Sequence, residues 1–445
     1  MRTSIADAGA LLHTMLRRAA VALLLGLNLA AGLYRYAHPY LTGQDHLLWD
    51  LLGGIRIARA CDPAIVAASA MPAQCEAPVP YLAGAFVFFR WLDALPWAAV
   101  MAMWFALAVP ATLWICHRTA ERLRRGLDPP SARAVLVATA SLLAFKGTTL
   151  GLYAGNVSLA TTWLLGAFCL IELVRRRGWE WPAALLLAVA ASKPNMAAPF
   201  FLYLLLAGDW RALVLSLAAT ALLHVPATFA YFGPLRHLEI LFTGLVTVET
   251  YPLNATSLLG ASGRVDLRPF LQSLGLPQTA ALAAAAALVL GAGAAVVRYR
   301  RRFGDRLLLL NANLLFFAAM YHRDYDVLLL LLIALPLIWK HRRRFGLLAC
   351  MLALPAALPL QFLHAYGMQH LPQHEPVWNM LGTSMIVSIL GIGAWLNWCA
   401  LTPRPVRPDR HNRDEQRLTQ SAPDLMRQAG AQSAPDARRT PEERA

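Results

Sequence analysis

The chain has 445 residues, of which 58% are hydrophobic and 15% are charged, and its formal net charge is +15. A soluble protein does not need this much apolar sequence, so the composition and the mean hydropathy of +0.48 indicate a polytopic membrane protein. The charge could also suggest a nucleic-acid-binding protein, but the arginines cluster at the ends of apolar segments, as the positive-inside rule predicts. We therefore expect membrane lipids as partners and no nucleic acid. The clusters are Arg17-Arg18, Arg124-Arg125, Arg175 to Arg177, Arg300 to Arg302 and Arg342 to Arg344.

The apolar segments are rich in Leu and Ala and lack the alternation of a membrane barrel, which predicts an all-α integral membrane protein. The arginine clusters place residues 1–18 in the cytoplasm, and the apolar stretch after them lacks a cleavage site, so it is predicted to remain as the first helix. A transmembrane domain of about twelve helices then covers 19–401, and 402–445 is predicted to be a disordered cytoplasmic tail. The later spans are predicted near 97–116, 134–152, 157–174, 181–194, 196–208, 211–230, 278–298, 307–321, 326–340, 345–363 and 378–401.

Two regions do not fit simple spans. Tyr81 to Leu92 is apolar but shorter than the roughly 17 to 25 residues needed to cross a bilayer, which favours a re-entrant or interfacial helix. The segments on either side of Lys193-Pro194 are also short, and proline ends the helix before it, so a tight outward-facing hairpin is predicted there.

The long first loop, residues 35–80, is predicted to be periplasmic and to carry interfacial helices. Its string Thr42-Gly43-Gln44-Asp45-His46, followed by Trp49 and Asp50, puts carboxylates at the outer edge of the bundle. A carboxylate in that position can act as a base at the lipid surface. Cys61 and Cys75 share the loop and could form a disulfide in an oxidising compartment.

Lysine is rare in this chain, and Lys146 and Lys193 lie inside or beside apolar segments, near predicted outer ends. A lysine at the membrane centre costs roughly 2.5 to 3.5 kcal/mol. Each could simply extend its ammonium group to the interface. Alternatively, Lys193 pairs with an anionic group such as a lipid-linked phosphate.

Two outer segments carry further polar side chains. The turn His322-Arg323-Asp324-Tyr325-Asp326 is either a solvated hairpin or a set of phosphate and sugar contacts. The loop 231–277 contains Asn254, Ser257 and Arg264, whose amide, hydroxyl and guanidinium groups suit sugar or phosphate, although an ordinary surface loop has the same composition.

Metal and nucleotide sites are not expected. His364, His370 and His374 lie near Glu375, but their spacing is not that of a known metal site. The sequence contains no Walker loop and no dinucleotide fingerprint. We therefore predict no metal and no cofactor.

Taken in chain order, these segments resemble glycosyltransferase family 87, the polyprenol-phosphate mannosyltransferase-like group of the C-type glycosyltransferase superfamily. The resemblance covers about residues 19 to 400 and rests on the order of short elements. These are Asp45 with Trp49 and Cys61-Asp62-Pro63, Val79-Pro80-Tyr81-Leu82, Gly155-Asn156-Val157-Ser158, Ser192-Lys193-Pro194, Asn254 to Arg264, and His322 to Asp326. Asn156 stands where the family has Gln.

The resemblance implies an inverting glycosyltransferase of the cell inner membrane. It would move a mannose-like hexose or a pentose from a polyprenyl-phosphate carrier to an envelope glycan or lipid acceptor on the periplasmic face. Asp45 would be the general base, with Asp50 as the fallback, and Lys193, Arg264, His322 and Arg323 would bind the donor phosphate. The expected sugar or acceptor contacts are Gln44, His46, Trp49, Asn156, Asn254, Ser257, Asp324 and Asp326.

Two other classes stay open at this point. A secondary transporter or a flippase of lipid-linked sugars would place charges near the middle of the membrane and show two related halves. A non-catalytic membrane protein of envelope assembly would tolerate substitution of Asp45, Lys193 and His322 together.

Overall fold

The computed structural model describes Ala30 and residues 48–60, 81–124, 132–172, 180–231, 264–320, 322–323, 325–341 and 360–402. In these residues the secondary structure is helical apart from one isolated β-bridge. The helices before residue 270 are α1 Trp49–Ala60, α2 Gly84–Asp93, α3 Trp97–Arg124, α4 Ala132–Ala144, α5 Lys146–Ala154, α6 Val157–Glu172, α7 Glu180–Ala190, α8 Pro194–Ala207, α9 Trp210–Tyr231 and α10 Leu267–Ser273. The later ones are α11 Gln278–Tyr299, α12 Asp305–Ala319, α13 Val327–Lys340, α14 Leu360–His370, α15 Glu375–Thr383 and α16 Met385–Leu401, with short 3-10 turns at Arg300–Arg302 and Pro372–His374.

The structure is that of an all-α membrane protein, as predicted. Among the described residues, four helical segments are long and apolar enough to cross a membrane, namely Trp97–Arg122, Trp210–Ala230, Gln278–Arg302 and Pro372–Leu401. The same part of the chain has four shorter apolar helices at Val157–Leu170, Glu180–Ala190, Pro194–Ala207 and Val327–Lys340. Large apolar side chains on the long helices are exposed, such as Leu222 and Leu290, and this suits a surface that faces lipid.

The span predicted at 134–152 is not a single helix. Phe145 has an extended ψ of 133°, so α4 ends at Ala144 and α5 begins at Lys146. The Thr148 hydroxyl donates to the carbonyl oxygen of Leu142 at 2.7 Å, which satisfies an acceptor that the break leaves open. The sequence marks the break only by Lys146, Gly147, Thr148 and Thr149, which directly follow it inside a longer apolar segment.

The short segment predicted at Tyr81 to Leu92 forms α2, a helix of 10 residues. Phe86 and Phe89 of α2 are buried, whereas Phe88 and Trp91 are exposed, as in a helix with two distinct faces. The Nδ1 atom of His224, on α9, accepts a hydrogen bond from the Gly84 backbone N–H at 3.1 Å. This bond fixes the start of α2 against a long apolar helix.

The helix α1 packs on α2 and on α5. Arg59 pairs with Asp93 at 2.6 Å, and Arg90 pairs with the same carboxylate at 3.1 Å, so one aspartate joins the ends of α1 and α2. At the other end of α1, the Leu48 backbone N–H donates to the Tyr153 carbonyl at 2.9 Å. These contacts hold the first turn of α1, which carries Asp50, beside the start of α6.

Candidate active site

The break between α7 and α8 places a lysine inside the protein. Pro194 occupies the first turn of α8, where a missing backbone N–H costs nothing, and Lys193 precedes it in a non-helical conformation. Lys193 is only 6% exposed. The predicted turn at Lys193-Pro194 is present, but its lysine does not extend to solvent. A buried ammonium group needs a partner of opposite charge, and the structure provides one.

That partner is Asp326, the residue before α13. Lys193 Nζ donates to Asp326 Oδ1 at 3.0 Å, and it also contacts the Ser158 hydroxyl at the start of α6. The backbone N–H of Arg323 donates to the other carboxylate oxygen at 3.1 Å. Burial raises the pKa of Asp326, but Lys193 and His322 lower it by more, so this pKa lies well below its ordinary value. Asp326 is therefore ionised at neutral pH.

His322 completes the buried cluster. Its Nδ1 atom is 3.3 Å from Asp326 Oδ2, and its ring stacks on Phe317 with 3.9 Å between ring centroids. Burial lowers the pKa of His322, although Asp326 opposes that shift. The imidazole is therefore neutral near pH 7, and since an ionised carboxylate can only accept, Nδ1 carries the proton and donates. Its Nε2 atom is then a buried acceptor with no hydrogen-bond partner among the described residues.

The turn Gly155-Asn156 brings Asp50 to the same region. Gly155 has φ of +64°, a conformation that favours glycine, and a Cβ atom there would lie only 3.0 Å from atoms of Leu48 and Leu51, so α1 also leaves little room for a side chain. Asn156 caps α6, because its Oδ1 atom accepts the Ser158 backbone N–H at 2.7 Å. The Asn156 amide donates in turn to Asp50 Oδ2.

Asp50 has an unusual electrostatic environment for an aspartate. Burial raises its pKa to about 6, although the hydrogen bond from Asn156 and the positive charges of Arg323 and Lys193 lower it. A chain of contacts connects Asp50 to the buried pair: Asn156 bonds to Asp50 and to the Ser158 backbone N–H, and the Ser158 hydroxyl contacts Lys193. Lys193 and the backbone N–H of Arg323 both donate to Asp326. The predicted site residues Asp50, Asn156, Lys193, His322, Arg323 and Asp326 thus lie together, although they span 277 positions of the chain.

Arg264 joins this region mainly through its backbone. Residues Arg264 and Arg323 form an antiparallel β-bridge, and the Val265 N–H donates to the His322 carbonyl at 2.9 Å. The Arg264 guanidinium is buried and forms an ion pair with Asp266 at 3.0 Å. Arg264 and Val265 are therefore attached directly to the turn that contains His322 and Arg323.

Sequence reasoning did not assign roles to Ser158 and Asp266. In the sequence, Ser158 was noted only as the last residue of the Gly-Asn-Val-Ser turn. Its position two residues after Asn156, which caps α6, was the one feature that could have indicated its place at the start of that helix. Asp266 lies two residues after Arg264, a spacing that permits an ion pair in an extended segment but does not require one.

Other predicted site residues fall outside the described residues, or nothing is described of their side chains. Trp49 begins α1, and its side chain is not described. The residues Gln44, Asp45, His46, Cys61, Cys75, Asn254, Ser257 and Asp324 lie outside the described ranges.

Of the three histidines between residues 360 and 380, His364 contacts an asparagine. The Asn379 side chain lies 3.1 Å from His364 Nε2 and donates to Glu375 at 3.4 Å. Among the described residues, no group of three or more potential ligands is close enough to hold a metal ion.

A family model described as glycosyltransferase family 87 matches residues 80–321, which is more than half of the chain. The matched range contains Asn156, Ser158, Lys193 and Arg264, and it ends one residue before His322. No curated protein matches the chain, and no solved structure matches it.

Proposed function

This chain belongs to glycosyltransferase family 87, and we propose that it moves a mannose-like hexose or a pentose from a polyprenyl-phosphate carrier to an envelope glycan or lipid. In this proposal the protein lies in the cell inner membrane with twelve spans and both termini in the cytoplasm. The reaction takes place on the periplasmic side. The single observation that carries the proposal is the convergence of Asp50, Asn156, Lys193, Arg323 and Asp326 at the starts of α1, α6, α8 and α13.

The proposed chemistry uses both the carboxylates and the cations of this cluster. An acceptor hydroxyl gives its proton to a carboxylate of the opening segment, and its oxygen attacks the anomeric carbon. The bond between that carbon and the phosphate oxygen breaks, so polyprenyl phosphate leaves and the anomeric configuration inverts. The leaving phosphate needs its growing negative charge neutralised, which we assign to Lys193 and Arg323. Asp45 is the proposed base, and Asp50 is the alternative.

Arg264 has a different place in this scheme. Since its guanidinium is buried against Asp266, we propose that it positions the turn His322–Asp326 and that Lys193 and Arg323 contact the phosphate. His322 keeps Asp326 oriented through its Nδ1 proton. No metal and no cofactor enter the proposed reaction.

A groove beside the cluster supports a lipid-linked donor. Its cavity volume is about 120 Å³, and it lies between α12, α13 and α16. Its walls are mainly Leu, Ile, Val and Ala, including Leu310, Leu331 and Ile392. Val327 lines the groove and directly follows Asp326. An apolar groove that reaches a turn with a buried ion pair suits a ligand with a hydrocarbon chain and a charged head.

Product analysis with a set of donors tests the proposed function. Purified protein is incubated with polyprenyl-phosphate-linked hexoses and pentoses and with envelope glycolipid acceptors, and the released polyprenyl phosphate is measured by mass spectrometry. We expect one donor class to release its carrier in equal amount to the glycosylated acceptor. Uptake of the lipid-linked sugar into vesicles without any covalent product would instead identify a transporter or flippase and overturn the proposal.

The groove gives a prediction about chain length. Ala334, which is 8% exposed, lines the groove, so Ala334→Phe should fill part of it. We expect the KM for a long-chain polyprenyl donor to rise about tenfold, which corresponds to about 1.4 kcal/mol of binding free energy, and the KM for a ten-carbon donor to stay nearly unchanged. Steady-state kinetics with both donors measures this difference.

The matched control for Ala334→Phe is Ala221→Phe on the exposed face of α9. This variant adds the same side chain toward lipid and should leave both KM values unchanged. An equal rise for the long and short donors in Ala334→Phe would contradict the assignment of this groove to the carrier chain.

A further inference from the structure

The end of α5 and the turn after it hold the start of α1 through contacts of three kinds. The Leu48 backbone N–H donates to the Tyr153 carbonyl at 2.9 Å. A Cβ atom on Gly155 would lie 3.0 Å from an atom of the Leu48 side chain, so the two segments are closely packed. The Asn156 amide donates to Asp50 Oδ2. A backbone bond, a packed contact and a side-chain bond therefore meet within residues 48–50.

Leu48 has a backbone conformation that depends on these contacts. Its φ of +58° lies in the left-handed region, which an L-residue with a branched side chain rarely adopts. Such a conformation persists where the surrounding structure holds it, and Leu48 is completely buried beside Gly155. Since Leu48 directly precedes α1, the contacts with residues 153–156 also determine where the first turn of α1 places Asp50.

Asn156 uses both ends of its side chain inside the protein. Its Oδ1 atom accepts the Ser158 backbone N–H, and its Nδ2 group donates to Asp50. Asn156 is only 3% exposed, whereas Asp50 is half-buried. The sequence predicted a contact between Asn156 and the sugar or the acceptor. The structure gives this side chain two protein partners and little exposed surface.

We propose that Asn156 is a positioning residue for Asp50, and that its amide holds the carboxylate in place and in its charged form. A hydrogen bond donated to a carboxylate stabilises the anion. This role rests on the proposed function, in which Asp50 belongs to the transfer site. It takes the place of a direct contact between Asn156 and the sugar.

The charged groups around Asp50 show why this bond matters. Lys193 and Arg323 favour the carboxylate form, whereas burial and the negative charge of Asp326 oppose it. Of the influences that lower the pKa of Asp50, the bond from Asn156 is the largest, and with this bond present the pKa is about 6. Loss of the amide should therefore raise that pKa. The charged side chains of α2, and those of α1 beyond Asp50, lie nearer the far end of α1 and are Arg56, Arg59, Arg90 and Asp93.

Asn156→Ser separates the amide from the helix cap. Serine can still accept the Ser158 backbone N–H, but its side chain is too short to reach Asp50. We expect the pH of half-maximal transfer to rise by about one unit from the wild-type value of about 6. At about pH 8.5, where the carboxylate is ionised again, transfer should be within about threefold of the wild type. The infrared band of the protonated Asp50 carboxyl group, identified as the band that Asp50→Asn removes, measures the same shift without any substrate.

Two further variants complete the test. Asn156→Asp also keeps the cap but puts a second carboxylate beside Asp50, so its shift should exceed that of Asn156→Ser. Thr161→Val is the matched control on α6. It removes a hydroxyl that donates to the Val157 carbonyl at 2.9 Å, and it should leave the pH profile and the infrared titration unchanged.

The infrared titration and the transfer assay fail in different ways. If Asn156→Ser lost transfer equally at every pH while Asp50 titrated as in the wild type, Asn156 would be a substrate contact and the positioning role would be overturned. An equal shift in Thr161→Val would also overturn it. A shifted Asp50 band in a protein that transfers no sugar from any donor would confirm the positioning role and overturn the proposed function instead.

Discussion

Asp45→Asn should lower the rate of sugar transfer by about 10²- to 10⁴-fold, the usual contribution of a general base. The amide is almost the same size as the carboxylate but cannot accept a proton, so the protein should remain inserted in the membrane. Release of polyprenyl phosphate by the purified variant, at saturating donor and acceptor, measures the effect. Turnover at the wild-type rate would remove Asp45 as the base.

Asp50→Asn is the control that separates the two carboxylates. If Asp45 is the base, Asp50→Asn should cost about tenfold, because the hydrogen bond to Asn156 and the balance of charge near Arg323 change. Loss of activity equal to that of Asp45→Asn, or greater, would assign the base to Asp50.

The pH dependence gives a second criterion for Asp50. Its pKa is raised to about 6, chiefly by burial, so the carboxylate form is present above that pH and is lost below it. We expect wild-type activity to fall as the pH decreases through about 6, and we expect this inflection to be absent in Asp50→Asn. An inflection that persists in Asp50→Asn would belong to another group.

The general architecture could be predicted from the sequence because membrane insertion leaves few choices. Apolar segments of sufficient length must form helices in lipid, where every backbone group needs an internal partner, and this predicted an all-α membrane protein. The break at Phe145 could not be predicted in the same way. It depends on one ψ angle and on the Thr148 hydroxyl that reaches Leu142, and neither changes the hydropathy. The number of spans stays a prediction, since four helical segments in the described part of the chain have the length and composition to cross.

The sequence predicted which residues were candidates for the site, but it did not predict which of them contact one another. Lysine is costly in an apolar setting, which made Lys193 conspicuous, but its partner Asp326 is 133 positions away in the chain. A contact of that separation is decided by how α6, α8 and α13 pack, and a single sequence contains no direct record of it. Arg264 differs from Lys193 because its partner is close in the chain. It was predicted to contact phosphate, and the structure pairs it with Asp266, two residues further on.

The buried pair of Lys193 and Asp326 gives the second large expected effect. Lys193→Met should destabilise the protein by about 3 to 5 kcal/mol, because Asp326 is then buried without its main counter-charge. It should also lower sugar transfer at least 100-fold, since in the proposed reaction the same ammonium neutralises the leaving phosphate. Thermal unfolding in detergent and carrier release measure the two losses separately.

The double variant Lys193→Met/Asp326→Asn decides between a structural and a chemical role for the lysine. Removing both charges leaves no uncompensated ion in the interior, so most of the lost stability should return. Transfer should remain at least 100-fold below the wild type, because no ammonium is left for the phosphate. If activity returned together with stability, Lys193 would serve only to hold α13 against α6 and α8, and the phosphate would have to be neutralised by Arg323 alone. Lys193→Arg is the matched control: it keeps the charge beside Asp326 and should retain more transfer than Lys193→Met at comparable stability.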